Sequence, residues 1–253
     1  MIVKPKKRLG QHFLKNEAIA KQIVEAIVSN NKHVLEIGPG MGVLTKYLLQ
    51  NQDVELSVVE LDEESVLYLN AHFSELKEKI FAEDFLQLPL DKLYHENLTI
   101  IGNFPYNISS QILFKLLDYK ELVTELVGMF QKEVAERVAA KPGNKQYGIL
   151  TVLLQAFYDI EYLFTVDENE FNPPPKVKSA VIRVTRNRDK KLSCDEQLFK
   201  RVVKTAFNQR RKTLRNSLKV FNFLESFKSD PIFDLRPERL LVAQFELIVE
   251  HIV

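Results

Sequence analysis

The strongest constraint on this chain is a rhythm. Short apolar runs recur along its first half: HVLEI (33–37), ELSVVE (55–60), KIFA (79–82), LTIIGN (98–103) and LVTELVGMF (122–130). Each reads as a strand, the third more weakly, and Glu125 fits poorly in a fully buried fifth. Helical spacing fills the gaps. Asn16 is a candidate N-cap, after which Ile19, Ile23, Val24 and Ile27 recur on one face. Further helices are expected from the glycine-rich loop to about Gln50, from about Glu63 to Phe73, and from about Ser109 to Leu117. Strands alternating with helices of this length specify an open, mostly parallel sheet covered on both faces: an α/β, doubly wound, Rossmann-like fold. A helix at KEVAERVA, a turn at 141–144, ILTVLLQAF (149–157, ambiguous but favoured as helix), EYLFTV (161–166) and SAVIRV (179–184) complete it.

The pattern then changes. RNRDKKLS (186–193) is polar and charged, and beyond it only helices are expected: Cys194–Phe207, Thr213–Phe223 and Pro237 to about Val249. The expected division is therefore a domain over 1–185, a linker over 186–193 and a small all-helical C-terminal domain over 194–253. About sixty residues bury too little to be very stable unless docked on something larger.

Net charge is uninformative, because 35 basic and 34 acidic residues leave +1. Its distribution says more. Residues 1–21 carry six Lys/Arg against the single acid Glu17, 200–219 carry eight against none, and 55–96 carry eleven acids and three bases. If the two basic segments meet, they make a face able to hold a phosphate backbone; the alternative is two solvated faces. Arg211 and Arg215, four residues apart, are expected on one helical face above Phe207, Leu214 and Leu218. The one cysteine, Cys194, excludes an internal disulfide and cysteine-pair metal sites. No apolar run approaches the roughly 18 residues of a membrane span, and the basic N-terminus lacks the apolar core of a signal peptide. The expectation is a cytoplasmic monomer with no membrane and no metal.

EIGPGMG (36–42) lies between an expected strand and an expected helix. Its glycines permit tight turns and close approach to a ligand, although a purely structural glycine turn reads the same way. The spacing is not the GxGxxG of dinucleotide sites. Three acids follow in order. Glu36 opens the loop, where a carboxylate would repel phosphate and suit a cationic ligand. Glu60, ending the second strand, is placed to accept ribose hydroxyls. Asp84, after the third, is placed to accept from an adenine amine. An adenosine bearing a sulfonium and an amino-acid tail satisfies all three, and that ligand is S-adenosylmethionine.

NFPYN (103–107) follows the fourth strand, at the same sheet edge. Methyl transfer from a sulfonium needs only a positioned, desolvated nucleophile. An aromatic amine is a poor one, and the Asn103 side-chain carbonyl with the Phe104 main-chain carbonyl would hold it by accepting its N–H bonds. Pro105 stiffens the loop, and Tyr106 offers a face for stacking a flipped base. The alternative for the motif alone is an Asn–Pro turn that caps a strand. The five histidines show no ligand-like spacing.

With these residues in place, the chain closely resembles the KsgA family of ribosomal RNA adenine dimethyltransferases, almost end to end. The shared stretches are KKRLGQHFL (6–14), LEIGPGMG (35–42), Glu60, Asp84, NFPYNISS (103–110), QKEVAERV (131–138), FNPPPKVKSAVIRV (171–184), FNQRRKTLRNSL (207–218) and RPERL (236–240). The resemblance implies a methyltransferase sheet that binds S-adenosylmethionine and releases S-adenosylhomocysteine. The implied cofactor residues are Gln11, His12, Leu14, Glu36, Gly38, Gly40, Glu60, Leu61, Asp84, Phe85 and Asn103; His12 stands where Asn is common. Asn103, Phe104, Pro105 and Tyr106 match the family's Asn-Leu-Pro-Tyr grip on the target amine, with Phe104 in place of Leu. Phe171 matches an aromatic that packs on the target adenine from the other side. Lys6, Lys7, Arg8, Arg210, Arg211, Lys212 and Arg215 are the implied RNA contacts. The implied substrate is two adjacent adenosines in the last hairpin loop of small-subunit rRNA, dimethylated late in subunit assembly, with the small ribosomal subunit as partner. Two alternatives remain. Erm-type methyltransferases of large-subunit rRNA share the Asn-Pro-Tyr loop, but FNQRRKTLRNSL and RPERL favour the KsgA side. An RNA-binding assembly factor that has lost catalysis would keep the fold without needing every residue of the site.

Overall fold

The structure, a computed structural model, describes residues 3–253, leaving out the first two of the basic N-terminal stretch. In chain order its elements begin β1 (Phe13–Leu14), α1 (Glu17–Glu25), β2 (His33–Ile37), α2 (Thr45–Leu48), β3 (Glu55–Val59), α3 (Glu63–His72), β4 (Ile80–Phe81), α4 (Leu90–Leu93) and β5 (Leu98–Asn103). They continue with α5 (Ser109–Asp118), β6 (Val123–Gln131), α6 (Lys132–Val138), α7 (Ile149–Gln155), β7 (Tyr158–Val166), β8 (Phe171–Asn172) and β9 (Ser179–Arg186). The last are α8 (Glu196–Asn208), α9 (Leu214–Ser217) and α10 (Val242–Glu250).

Seven strands form one sheet in the order β4-β3-β2-β5-β6-β9-β7. The pairs β4–β3, β3–β2, β2–β5 and β5–β6 are parallel, whereas β9 runs antiparallel to β6. Consecutive strand residues face opposite sides. Val34 and Leu35 are 1% and 0% exposed, so both faces of β2 are covered, as the unbroken apolar run required. Each fully buried Val, Leu or Ile contributes about 1.5–3 kcal/mol. The chain leaves β2 toward β3 and β4, then returns to β5 on the other side of β2. That reversal opens a crevice at the strands' C-terminal edge, where ligands bind in sheets of this kind.

Several expectations hold in detail. The Asn16 side chain accepts from the N–H groups of Ala18 and Ile19 at 2.9 and 3.2 Å and starts α1, which buries Ala20 and Ile23. Glu125, unpromising as a strand residue, is fully buried because its carboxylate accepts from the Val28 and Ser29 N–H groups at 2.9 and 3.1 Å. Paired in this way, a buried carboxylate is tolerable.

Others need correction. The helix after the glycine loop is the single turn α2, because Gly38, Gly40 and Gly42 hold φ of 65°, 56° and 81° and the chain advances through turns as far as Leu44. Thr213–Phe223 is likewise reduced to α9, whereas α8 ends at Asn208, one residue past the expected Phe207. Arg211 and Arg215 therefore do not share a helical face: Arg211 stands in the turns between two helices. The antiparallel pair β1–β8, which sets Leu14 opposite Phe171, lay beyond the periodicity argument, since two residues have no period.

By packing, the chain divides into two compact units. One takes the residues up to Ala135 together with Ile160–Arg186; the other takes Glu136–Asp159 together with Asn187–Val253. The C-terminal helices thus group with an earlier segment that contains α7, and one division falls where the polar stretch 186–193 begins.

Candidate active site

A cavity of about 260 Å³ opens in the first unit at the C-terminal edge of β2, β3 and β5. Its lining includes Gln11, His12, Gly38, Gly40, Glu60, Leu61, Asp84, Phe85, Asn103, Phe104, Pro105 and Tyr106. Four loops drawn from residues 37–108 converge there because parallel strands end on the same side. Leu9, Gly10, Phe13 and Asn107 also line it and were not singled out from the sequence. Each lies within a quoted stretch, KKRLGQHFL or NFPYN, but which residues of those stretches reach the cavity depends on how the strap 9–13 and the loop after β5 fold over it.

Glu60 is 6% exposed and accepts from the Gly40 and Asp62 N–H groups at 3.1 and 2.9 Å. Burial raises its pKa, while those two N–H groups pull it back. A carboxylate has about four lone-pair sites, so the remaining acceptor capacity fits a pair of ribose hydroxyls. Asp84 accepts from the Leu86 N–H at 2.9 Å and so caps a 3₁₀ turn over Phe85–Gln87. Gly40 is obligatory: a Cβ there would stand 2.8 Å from the Phe13 ring, at a backbone angle that side chains avoid.

Glu36 and Leu14 lie apart from this cavity, beside a smaller recess of about 40 Å³. Glu36 is 2% exposed and accepts from the Thr45 hydroxyl at 2.6 Å. Burial pushes its carboxyl up to about 8, so it carries a proton at neutral pH. Glu36 thus braces β2 against α2 through Thr45, and the structure sets it beside the smaller recess rather than in the larger cavity.

The Asn103 amide donates through Nδ2 to the His12 carbonyl at 2.8 Å. A carbonyl only accepts, so Nδ2 must face it and Oδ1 is turned elsewhere. Among the described residues no donor reaches Asn103 Oδ1 or the Phe104 carbonyl. The Phe104 ring is 1% exposed and lies 4.9 Å from Phe130, over Gly128, where a Cβ would come within 2.0 Å of it. The ring that replaces the family's leucine thus faces the core, and only its main chain lines the loop. The Tyr106 hydroxyl meets Ser179 Oγ at 2.5 Å, and its ring stacks on His12 at 5.2 Å and 26°. His12 is in turn held by the Pro173 carbonyl at 2.8 Å from Nδ1. Phe171 does not line the cavity; at 1% exposure it is a core residue opposite Leu14.

Among the expected RNA contacts, Lys6 is already engaged, bonded to the buried Asp62 and 3.2 Å from Glu64. Asp62 also accepts from Gln11 at 3.5 Å and from Ser65 at 3.1 Å, so this pair fastens the strap to the start of α3. Lys7 and Arg8 are exposed. In the second unit, Arg215 bonds Asp234 at 2.9 and 3.0 Å, and Arg210 lies 3.8 Å from Glu238, while Arg211 and Lys212 are exposed. No group of three or more His, Cys, Asp or Glu among the described residues is arranged to hold a metal ion.

Comparison with known proteins follows the same lines. The sequence profile of the family described as "Ribosomal RNA adenine dimethylase" matches residues 2–235. "Ribosomal RNA small subunit methyltransferase A" of Parabacteroides distasonis is 61% identical over 248 residues, covering 96% of this chain and 92% of that protein. The protein of the same name from Flavobacterium johnsoniae is 57% identical, covering 99% and 96%. A crystal structure of a dimethyladenosine transferase from Plasmodium falciparum superposes with a TM-score of 0.81 at 26% identity, covering 94% of this chain and 97% of that one. The 23S rRNA methyltransferase ErmE gives 0.71 at 22% identity, covering 94% and 100%, a likeness of fold alone.

Proposed function

Because the chain belongs to the ribosomal RNA adenine dimethylase family, we propose that its cavity holds S-adenosylmethionine beside one adenine of the small-subunit rRNA. The protein is a methyltransferase of rRNA adenine that uses S-adenosylmethionine as methyl donor. When bound, that cofactor supplies a methyl group on a positively charged sulfur, already electrophilic enough for transfer to an amine. Glu60 accepts the ribose hydroxyls, and Asp84 with Phe85 forms the wall against the cofactor's adenine. Gly38 and Gly40 let the main chain approach the amino-acid tail, and Gln11, His12 and Leu61 close the sides.

The observation that carries this reading is the pair of unpartnered acceptors, Asn103 Oδ1 and the Phe104 carbonyl, in the loop that follows β5. Two acceptors suit the two N–H bonds of an exocyclic amine. They fix its orientation, and they stabilise the positive charge that develops on nitrogen as it is attacked. Tyr106, held by Ser179 and flanked by His12, supplies an aromatic wall for the flipped base. The second unit, with Arg211 and Lys212 exposed, contributes phosphate contacts. The proposed target is a pair of adjacent adenosines in the 3′-terminal hairpin loop of small-subunit rRNA, each dimethylated by a cytoplasmic monomer late in subunit assembly, without a metal.

The test is methyl transfer from radiolabelled S-adenosylmethionine to small ribosomal subunits from a strain that lacks the modification, with large subunits as control. Label recovered as dimethyladenosine from small subunits alone is the expected result. Label in large subunits would overturn the choice of substrate.

A further inference from the structure

Lys115 is a cationic side chain that the reading above does not use. It sits on α5, the helix that grows out of the Asn103–Asn107 loop, and is only 9% exposed. Its ammonium donates to three main-chain carbonyls: Phe85 at 2.6 Å, Leu86 at 3.1 Å and Leu88 at 2.6 Å. The Phe85 ring lies 4.8 Å from the same nitrogen. An ammonium stripped of water is costly, and at a site with only a packing role a leucine or methionine would fill the volume without that penalty.

The three carbonyls belong to the segment whose other side faces the cavity. Asp84 caps this turn through the Leu86 N–H, and Asp84 and Phe85 both line the cavity. Carbonyls pointing at one another repel, and a single cation at their focus holds all three in a shape they would not otherwise keep. One side chain therefore joins the helix behind the amine-holding loop to the turn that carries Asp84. Burial lowers the Lys115 pKa, and the nearby charges of Asp84 and Asp118 oppose that.

We propose that Lys115 is a positioning residue of the methyl-transfer site, holding the Asp84–Leu88 turn in the shape that reads the adenine of the cofactor. The proposal rests on the assignment of Asp84 to that adenine. Its consequence is selectivity: Lys115 acts through Asp84 on the 6-amino group, so its loss blurs the distinction between an adenine and a base that carries an oxygen there.

The experiment compares wild type, Lys115→Met and Asp84→Asn. Apparent KM is measured for S-adenosylmethionine and, separately, for RNA, together with inhibition by S-adenosylhomocysteine and by its deaminated inosine counterpart. For Lys115→Met the cofactor KM should rise about tenfold with the RNA KM unchanged, and the preference for the adenine-bearing inhibitor should fall about fivefold or more. Should that variant not fold, Lys115→Gln, which keeps N–H donors without the charge, is held to the same criteria with smaller effects. Parallel rises in both KM values, or an unchanged inhibitor preference, would overturn the positioning role and make Lys115 a packing residue. An unchanged preference in Asp84→Asn would instead locate the failure in the assignment of Asp84 to the adenine.

Discussion

The Asn103 carboxamide and the His12 main-chain carbonyl are joined at 2.8 Å, and that bond sets the polarity of the amide. With Nδ2 committed to the strap, Oδ1 is left as the acceptor. Replacing Asn103 with Ala should lower the single-turnover methylation rate by about 100-fold or more, the size seen when one such acceptor or donor is removed. Cofactor affinity, measured by titration calorimetry, should change no more than a few-fold. Equal losses in rate and affinity would move Asn103 from the amine to the cofactor.

Glu60 makes a second case. Glu60→Ala should weaken cofactor binding by roughly 30-fold or more, because it removes a charged acceptor and leaves the Gly40 N–H unpaired. Burial raises the Glu60 pKa, so protonation begins at a higher pH than for a free glutamate. Cofactor affinity should therefore fall as the pH is lowered, and calorimetry at about pH 7.5 and about pH 5.5 measures it. A flat profile would mean that Glu60 accepts nothing from the cofactor.

Glu36 predicts a pH dependence of stability. Burial lifts its carboxyl from 4.5 to about 8, so the folded chain keeps a proton that the unfolded chain has released. The stability contribution of this group therefore declines as the pH rises from about 4.5 to about 8 and is flat above that, by at most about 4–5 kcal/mol. Glu36→Gln keeps an acceptor for Thr45 without the titration. Denaturant melts should show it more stable than wild type at about pH 8, with the gap closing toward acid.

Phe104 and Gly128 should be energetically coupled. Phe104→Leu removes ring contacts with Phe130 and should cost about 1–1.5 kcal/mol while leaving the methylation rate near wild type, since the carbonyl is retained. Gly128→Ala drives a Cβ into the Phe104 ring and should cost more. The double variant should be more stable than the sum of the two losses, by about 1 kcal/mol in a double-mutant cycle.

Arg211 and Lys212, both exposed, should behave as phosphate contacts. Each change to Ala should weaken RNA binding and reduce the slope of log affinity against log salt by somewhat less than about 1. Lys6→Ala should instead act on the fastening of the strap, through Asp62, and leave that slope nearly intact.

The sheet was legible because buried parallel strands print unbroken apolar runs, and the four loops of the site followed from where those strands end. What could not be read was anything set by a partner distant in sequence. Glu36 reads as a ligand carboxylate, and neither its burial nor its bond to Thr45, nine residues on, leaves a pattern in the sequence. Lys6 looks like a phosphate contact until Asp62 is seen beneath it, and Lys115 looks like any helix-surface lysine. Helix lengths were overestimated at the glycine loop and after Asn208, where turns interrupt an otherwise helical spacing. Phe171, aromatic and close to a proline run, reads as a stacking residue; its place opposite Leu14 needs a pairing across more than 150 residues.

That pairing has a consequence for how the protein is made. The strap over the cavity leaves the ribosome more than 150 residues ahead of its pairing partner, so β1 has no strand to join until Phe171 and Asn172 have followed it out. During translation the cavity therefore stays open along one wall until residue 172 has been added. A nascent chain paused before residue 171 would carry its catalytic loop, its glycine turn and Glu60 without the seam that draws His12 toward Asn103. Competence to methylate would arrive abruptly, with the closing of two residue pairs.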